Sequence, residues 1–441
     1  MTHIAIVGAG ITGVTTAYAL LERGYRVTVL DRHRYAAMET SFANGGQLPA
    51  SNAEVWNSTA TIIKGLRWIL RNDAPLLLNL KPNWHKYSWL GEFVGNIGNY
   101  RQNTVETTRL AIEARRHLFA MAERENIAFD LERRGILHIC HDKASFDAGL
   151  RVNALLQEGG LDRRPVTPDE IRAIEPTLHK SYYGGFFTAS DATGDIHKFT
   201  RGLSAACIRR GAEFIYDAIV ENIAAADGGF HIRWTGASDL SEALPRREVL
   251  EADGVIICAG VASRDFAATL GDRVNVYPVK GYSITVDLDT PRSRNAAPHV
   301  SLLDEAAKIV TSRLGADRFR VAGTAEFNGF NRDIRADRIQ PLTDWVRRNF
   351  SDIETSKVTP WAGLRPMMPN MMPVVRAGKQ RGVFYNTGHG HLGWTLSAAT
   401  AQLIAQVVDG WRRPEVPFSS SSPSLASEDH NPGFTALHSQ R

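Results

Sequence analysis

The stretch Gly8-Ala9-Gly10-Ile11-Thr12-Gly13 constrains the fold more than any other feature of the chain, because it lies between an apolar run and a helical pattern. Its three glycines do separate things. The first permits a tight turn, the second lets backbone N–H groups approach a pyrophosphate, and the third lets helix and strand pack closely. Ile4 to Val7 suits a buried parallel strand, and Val14, Ala17, Tyr18 and Leu21 then recur at helical spacing up to Gly24, a natural helix stop. Tyr25 to Leu30 reads as the next strand. It ends in Asp31, where an acidic side chain accepts hydrogen bonds from an adenosine ribose hydroxyl, and Arg32 beside it is assigned to the same site. Strand, glycine turn, helix, strand and acid together predict a dinucleotide site, with the phosphates at the helix amino terminus. The loop alone does not separate FAD from NAD.

At 441 residues the chain exceeds the length at which one core keeps growing, which predicts two interleaved domains. Lys and Arg number 51 against 47 Asp and Glu, and that balance excludes the clustered basic surface expected of a nucleic-acid binder. Cys140, Cys207 and Cys258 are widely spaced in apolar runs, so they read as small buried residues of a protein in a reducing compartment rather than as disulfides or metal ligands. No metal is expected. The amino terminus enters the glycine loop at once, unlike a secretory signal, and no run of about 18 or more uncharged apolar residues occurs. These features predict a cytoplasmic protein.

A second block, Glu39-Thr40-Ser41-Phe42-Ala43-Asn44-Gly45-Gly46-Gln47, resembles the flavin-contacting loop of bacterial D-amino-acid dehydrogenases. The resemblance recurs at Asp191–Asp195, Tyr277–Ser283, Trp361–Met367 and Asn386–Thr395, in the family's order to about residue 412. Such proteins are similar to glycine oxidase and D-amino-acid oxidase, which implies an α/β (α+β overall) fold. A Rossmann-like FAD-binding domain is interleaved with a substrate domain built on an antiparallel sheet. The implied reaction is FAD-dependent oxidative deamination of a D-amino acid to the imino acid and then the 2-oxo acid, by hydride transfer from Cα to flavin N5. The implied electron acceptor is a quinone or another component of an electron-transfer chain.

On this basis residues 1–80, 190–265 and 360–412 form the FAD-binding domain, 81–189 and 266–359 the substrate domain, and 413–441 a polar, poorly ordered tail. A helix is expected over Leu110–Glu123. Phe230, Ile232 and Trp234 alternate with His231 and Arg233 after Asp227-Gly228-Gly229, a hairpin pattern, and Arg273–Phe327 holds several short alternating strands. Besides Gly8, Gly10, Ile11, Thr12, Gly13, Asp31 and Arg32, the expected cofactor contacts are Thr40, Ser41, Asn44, Gly45, Gly46 and Gln47, with Val220, Ala259 and Gly260 toward the adenine half. Gly388, His389, Gly390, His391, Leu392, Gly393 and Thr395 complete them. These lead into a helical pattern, Trp394–Val408, whose amino-terminal dipole favours negative charge on the reduced flavin.

An amino-acid carboxylate in a dry pocket needs a charge-paired, preferably bidentate donor, which arginine supplies. The resemblance assigns this to Arg365 in Gly363-Leu364-Arg365-Pro366. Tyr282 is a second candidate, as a phenol entering the pocket, set against the commoner role of a strand tyrosine in a core. Three departures from the family pattern bear on the substrate: Ala307 where a tyrosine is common, Asn370-Met371 in place of Asp-Gly, and His391 in place of a threonine. Ala307 is expected to enlarge the pocket or remove a hydrogen bond to the substrate. The alternatives are a cyclic or N-substituted amino acid such as a hydroxy-D-proline or a sarcosine-like compound, a non-catalytic flavin subunit, or a nicotinamide dehydrogenase.

Residues 59–80 include a basic amphipathic segment: Ile62, Ile63, Leu66, Ile69 and Leu70 share one side of a helical projection, and Lys64, Arg67 and Arg71 the other, with Trp68 towards the basic side. Such a segment docks either on the protein's own body or on the inner face of the cytoplasmic membrane.

Overall fold

In the computed structural model the described residues are 1–68, 76–236 and 247–412, and the expected tail 413–441 lies outside them. Strand β1 (His3–Val7) is buried along its whole length between parallel partners, β2 (Arg26–Leu30) and Gly254–Ile257. Its side chains alternate between two cores. Ile4 and Ile6 join the core under helix α1 (Ile11–Leu21), while Ala5 and Val7 join the core on the other face. That two-sided burial explains the unbroken apolar run. Across this six-stranded sheet the order is Val374–Ala377, Val383–Thr387, Gly254–Ile257, β1, β2, Glu213–Ile215, with only Val374–Ala377 antiparallel to its neighbour. Helix α1 packs against the carboxyl-terminal helix Gly393–Arg412 on one face. On the other lies a three-stranded antiparallel sheet, Ala218–Ala226, Gly229–Gly236 and Arg247–Ala252, which contains the expected hairpin.

The second, larger sheet runs Val358–Met367, Tyr277–Asp287, Arg318–Phe327, Ile309–Leu314, Ser301–Asp304, Ile136–Cys140, Gly184–Thr188, Arg164–Val166, and Leu76–Leu78 adds beside Arg318–Phe327. It is antiparallel except where Ser301–Asp304 meets Ile136–Cys140 and at that added strand. One face is buried against the helix Ala336–Asn349 through Leu342, Trp345 and Val346. The other turns toward the six-stranded sheet's domain. Residues 360–367, expected in the FAD-binding domain, lie instead in this large sheet, paired residue for residue with Tyr277–Ile284. The smaller sheet resumes only at Val374.

The helix expected over Leu110–Glu123 spans Tyr100–Arg124. Its first turns lack an apolar stripe because threonines are buried there, with Thr107 and Thr108 returning their hydroxyls to carbonyls four residues back at 2.6 and 2.7 Å. Among the described residues no helix is long and apolar enough to cross a membrane.

Candidate active site

The nucleotide end is built by backbone approach. Gly8 has φ +109°, and a Cβ there would stand 2.6 Å from the Cys258 carbonyl oxygen, while one on Gly13 would stand 1.8 Å from the Gly8 carbonyl oxygen. Neither position admits a side chain. A Cβ on Gly10 would meet only the Ser41 hydroxyl, at 3.7 Å, so the start of α1 is left open on that side. The helix has no side-chain cap at Gly10. Ile11 N donates to Ser41 Oγ at 3.0 Å, and the Thr12 carbonyl accepts from Thr16. An uncapped helix start beside a space that only a missing Cβ leaves free suits a pyrophosphate.

Asp31 ends β2, and its two oxygens accept from Ala9 N at 2.6 Å and His33 N at 2.9 Å. It therefore holds the glycine loop in shape, and lone pairs remain on both oxygens for a ribose. Burial pushes its carboxyl above the usual range. Arg32 points instead at Glu39, which also meets His33 and Arg332. Burial raises the Glu39 carboxyl, but His33 and the two arginines outweigh it and bring it to about 2. Ala259 and Gly260 (φ +55°) sit just beyond the carboxyl end of Gly254–Ile257, in the crevice where such sheets bind ligands. Val220 lies at a bulge in a strand that Asp31 and His33 pin through their carbonyls to Ala218 and Asp217.

The flavin loop is anchored to the large sheet. Thr40 donates to the Leu364 carbonyl at 2.8 Å, Gln47 donates to Ser301 Oγ at 2.7 Å, and the carbonyls of Asn44 and Gly45 accept from Arg320 and Ser312. A Cβ on Gly45 would collide with Val310 at 2.8 Å, and Gly46 has φ +73°. Here the two domains meet through glycine backbone. Gly388 (φ +76°) and Gly390 (φ +58°) approach Met368 and Met367 in the same way, next to Leu392 and the start of the helix Gly393–Arg412.

Between these parts lies a cavity of about 600 Å³, bordered by Thr40, Asn44–Gln47, Arg365, His391, Leu392 and Thr395. Arg365 reaches across the neighbouring strand, donating to the Thr324 carbonyl at 3.0 Å. A Cβ on Gly281 would lie 2.3 Å from the guanidinium, so that glycine is what lets the side chain lie flat. Thr324 has φ +62°, which is costly for a β-branched residue and marks a constrained site. Burial alone pushes the guanidinium down to about 10, which leaves it charged at neutral pH, and among the described residues it has no carboxylate partner. A partly buried cation without an anion carries a desolvation cost. A bound carboxylate removes that cost.

His391 lies against the ring of Trp56, with centroids 4.8 Å apart. Burial, then the charge of Arg365, lowers the imidazole to about 3, against a smaller pull from the Asn52 backbone. Its two ring nitrogens and the Trp394 indole N–H are buried without a hydrogen-bond partner. Orphaned polar atoms beside a cavity fit a site that a cofactor and substrate complete. His389, by contrast, turns inward to Thr400 at 2.8 Å, and burial brings it to about 3.

Ser283 donates to Ala43 O, and Tyr282 borders the cavity while packing in the core with Ile284 and Val286. Its hydroxyl donates to Glu326 at 2.7 Å. Ala307 packs on that same core and does not border the cavity, whereas Glu305 and Lys308 on the same turn do. Glu54, Tyr100, His138 and Arg163 also border it and were not anticipated, since nothing local marks residues that only the fold brings together. Among the described residues no group of three or more metal-ligating side chains occurs.

The chain belongs to the FAD-dependent oxidoreductase family, whose model matches residues 3–407. FAD is its cofactor, and the residues that would hold it are those of the glycine loop, the loop from Thr40 to Gln47 and the segment Gly388–Thr395. Among curated proteins it is 63% identical over 408 residues to a D-amino acid dehydrogenase 3 of Mesorhizobium japonicum, covering 92% of this chain and 97% of that one. It is 38% identical over 418 residues to a D-amino acid dehydrogenase of Paramagnetospirillum magneticum, covering 92% and 95%. Among solved structures, glycine oxidase from Geobacillus kaustophilus superposes with a TM-score of 0.70 at 20% identity over 96% of this chain and all of that one. L-proline dehydrogenase from P. horikoshii gives 0.71 at 13% over 94% and 95%. These two share the fold.

Proposed function

We propose that the protein oxidises D-amino acids to 2-oxo acids and ammonia and passes the electrons to a quinone or another electron-transfer component. The observation that carries this reading is Arg365, a half-buried guanidinium on the cavity wall with no carboxylate partner among the described residues. The names of the relatives at 63% and 38% identity support the substrate class. FAD, when bound, supplies a two-electron acceptor for the hydride of Cα. Arg365 clamps the substrate carboxylate and so fixes the Cα–H direction, which is most of what the protein must contribute. Gly281 and Thr324 hold the clamp in place. His391, neutral at physiological pH, offers its ring nitrogens to the substrate amine without repelling a cation, and Trp56 covers it from water. The imino acid formed then takes up water, releasing ammonia. Purified protein loaded with FAD should reduce an artificial acceptor dye with D-alanine and yield one 2-oxo acid per two electrons. Dye reduction without 2-oxo acid, or none with any D-amino acid, would sink the reading.

For the membrane contact, Ile63, Leu80, Trp84 and Tyr87 are exposed, Trp84 at 83%. A solvent-facing tryptophan beside leucine is what an interfacial anchor presents. Of the amphipathic segment itself, residues 69–75 and the side chains of Lys64, Leu66, Arg67 and Trp68 lie outside the described residues. Sedimentation with anionic liposomes should pull down the protein at low salt and less at high salt. No binding at either removes the contact.

A further inference from the structure

The cavity continues past Arg365 to a second polar end that the deamination chemistry does not use. Its floor is the large sheet. The Arg365 guanidinium rests over Thr324, and the strands that follow in order are Ile309–Leu314, Ser301–Asp304 and Ile136–Cys140. Glu305 extends the second of these, so it stands two strand spacings from the guanidinium's anchor, roughly 10 Å. That is the span of an extended long-chain amino acid bonded at both ends.

The groups at this end are unevenly matched. Glu305 is committed to His138 at 2.9 Å and to Lys308 at 2.8 Å. His138 is further held by Ser51 at 3.0 Å and Arg163 at 3.1 Å. Glu54 borders the same space, and among the described residues its only partner is the Tyr100 hydroxyl, at 2.6 Å on one oxygen. Burial pushes its carboxyl up, and the charges of Lys308 and Arg163 offset that only in part, with Glu305 adding to it. A half-buried carboxyl with one oxygen unbonded and no ion pair of its own among the described residues can receive a cation. It faces the opposite charge to the one Arg365 selects.

We propose that Glu54, with Glu305 behind it, receives the cationic end of the substrate side chain, so that the enzyme favours long-chain basic D-amino acids of the lysine and arginine type. This rests on the deamination reading and refines it. Arg365 takes the carboxylate common to all amino acids, and Glu54 discriminates by the far terminus. Lys308 and Arg163, whose Nε and Nη1 are buried without a hydrogen-bond partner, compete for the same carboxylates and limit the preference.

The test compares D-lysine with D-norleucine, of the same chain length but without the charge, and with D-glutamate, by anaerobic flavin reduction and by kcat/KM. Wild-type protein should favour D-lysine over D-norleucine by about tenfold or more, roughly the value of one charge-assisted contact. Glu54→Gln should remove most of that ratio, with the loss falling on KM for D-lysine, and Lys308→Met should increase it. An equal rate for D-lysine and D-norleucine in the wild type overturns the inference without any variant, as does a preference for D-glutamate, which would assign the end to Lys308 and Arg163. If both fail while D-alanine reduces the flavin, the inference falls and the deamination reading stands; if D-alanine fails too, that reading has failed.

Discussion

The two ends of the cavity hold charge in opposite ways. At one, a single guanidinium stands over strand backbone, with burial drawing it down to about 10 and no anion among the described residues to restore it. At the other, Lys308 is held above its usual range because Glu305 and Glu54 outweigh the burial that would lower it, and Glu305 is held well below its own. The first end is therefore incomplete until a ligand arrives. At the second, Glu305, His138 and Lys308 satisfy one another, while one Glu54 oxygen and the Nε and Nη1 of Arg163 are left over. A site arranged this way spends its strongest unmet charge on the group every substrate shares and leaves a weaker one for the part that varies.

The largest expected effect follows from the first end. Arg365→Ala should lower kcat/KM for D-amino acids by about 2–5 kcal/mol in transition-state binding while FAD stays bound, as truncating one partner of a buried charge pair does. Unchanged kinetics with full flavin loading would show that the two ends do not differ in this way. Gly281→Ala places a methyl where the guanidinium now lies, and should cost about 10- to 100-fold through KM and kcat together, because displacement of about 1 Å has that effect. Wild-type rates in this variant would mean that Arg365 need not lie flat.

A smaller, pH-dependent effect involves His389 and His391. Both are held neutral, with imidazoles at about 3, whereas the unfolded chain protonates them near the ordinary histidine value of about 6.5. The unfolded state thus binds more protons as pH falls from about 6.5 toward 3, so stability declines across that window and is unaffected by them above it. Denaturant titrations of the flavin-free protein should show this decline, and His389→Gln should reduce its slope by up to one proton. An identical slope in the variant would contradict burial of the neutral ring.

Smallest of all, Tyr282→Phe should leave kcat/KM nearly unchanged and cost about 1–2 kcal/mol of stability, since it removes a donor to buried Glu326 and leaves the ring in place on the cavity wall. A large loss of turnover at unchanged stability would return that phenol to the chemistry.

The parts legible in the sequence are those that local geometry dictates. The turn at Gly8, the close approach at Gly13 and the acid ending β2 lie within 24 residues of one another, and each glycine is required by an atom of the same unit or its partner strand. Arg365 was legible only through the family likeness, because nothing in Gly363-Leu364-Arg365-Pro366 tells that a guanidinium will cross Gly281, 84 residues earlier. Tyr282 was not legible for a plain reason: alternation says which residues share a face, not that one side chain can pack in the core under the helix Ala336–Asn349 and border the cavity as well. Nor was the position of Ala307 legible. On its turn Lys308, at φ +53°, borders the cavity, while Ala307 packs on the core. The second polar end draws on Glu54, Tyr100, His138, Arg163 and Glu305 from five separate segments, so no motif could announce it.

The central claim is that Arg365 orients a D-amino acid for oxidation. Anaerobic mixing of the FAD-loaded protein with each enantiomer of one amino acid, followed by flavin absorbance, tests it most directly. Bleaching by the D form and not the L form, slowed strongly in Arg365→Ala, is the expected result. Equal bleaching by both enantiomers, or unchanged bleaching in the variant, would contradict it.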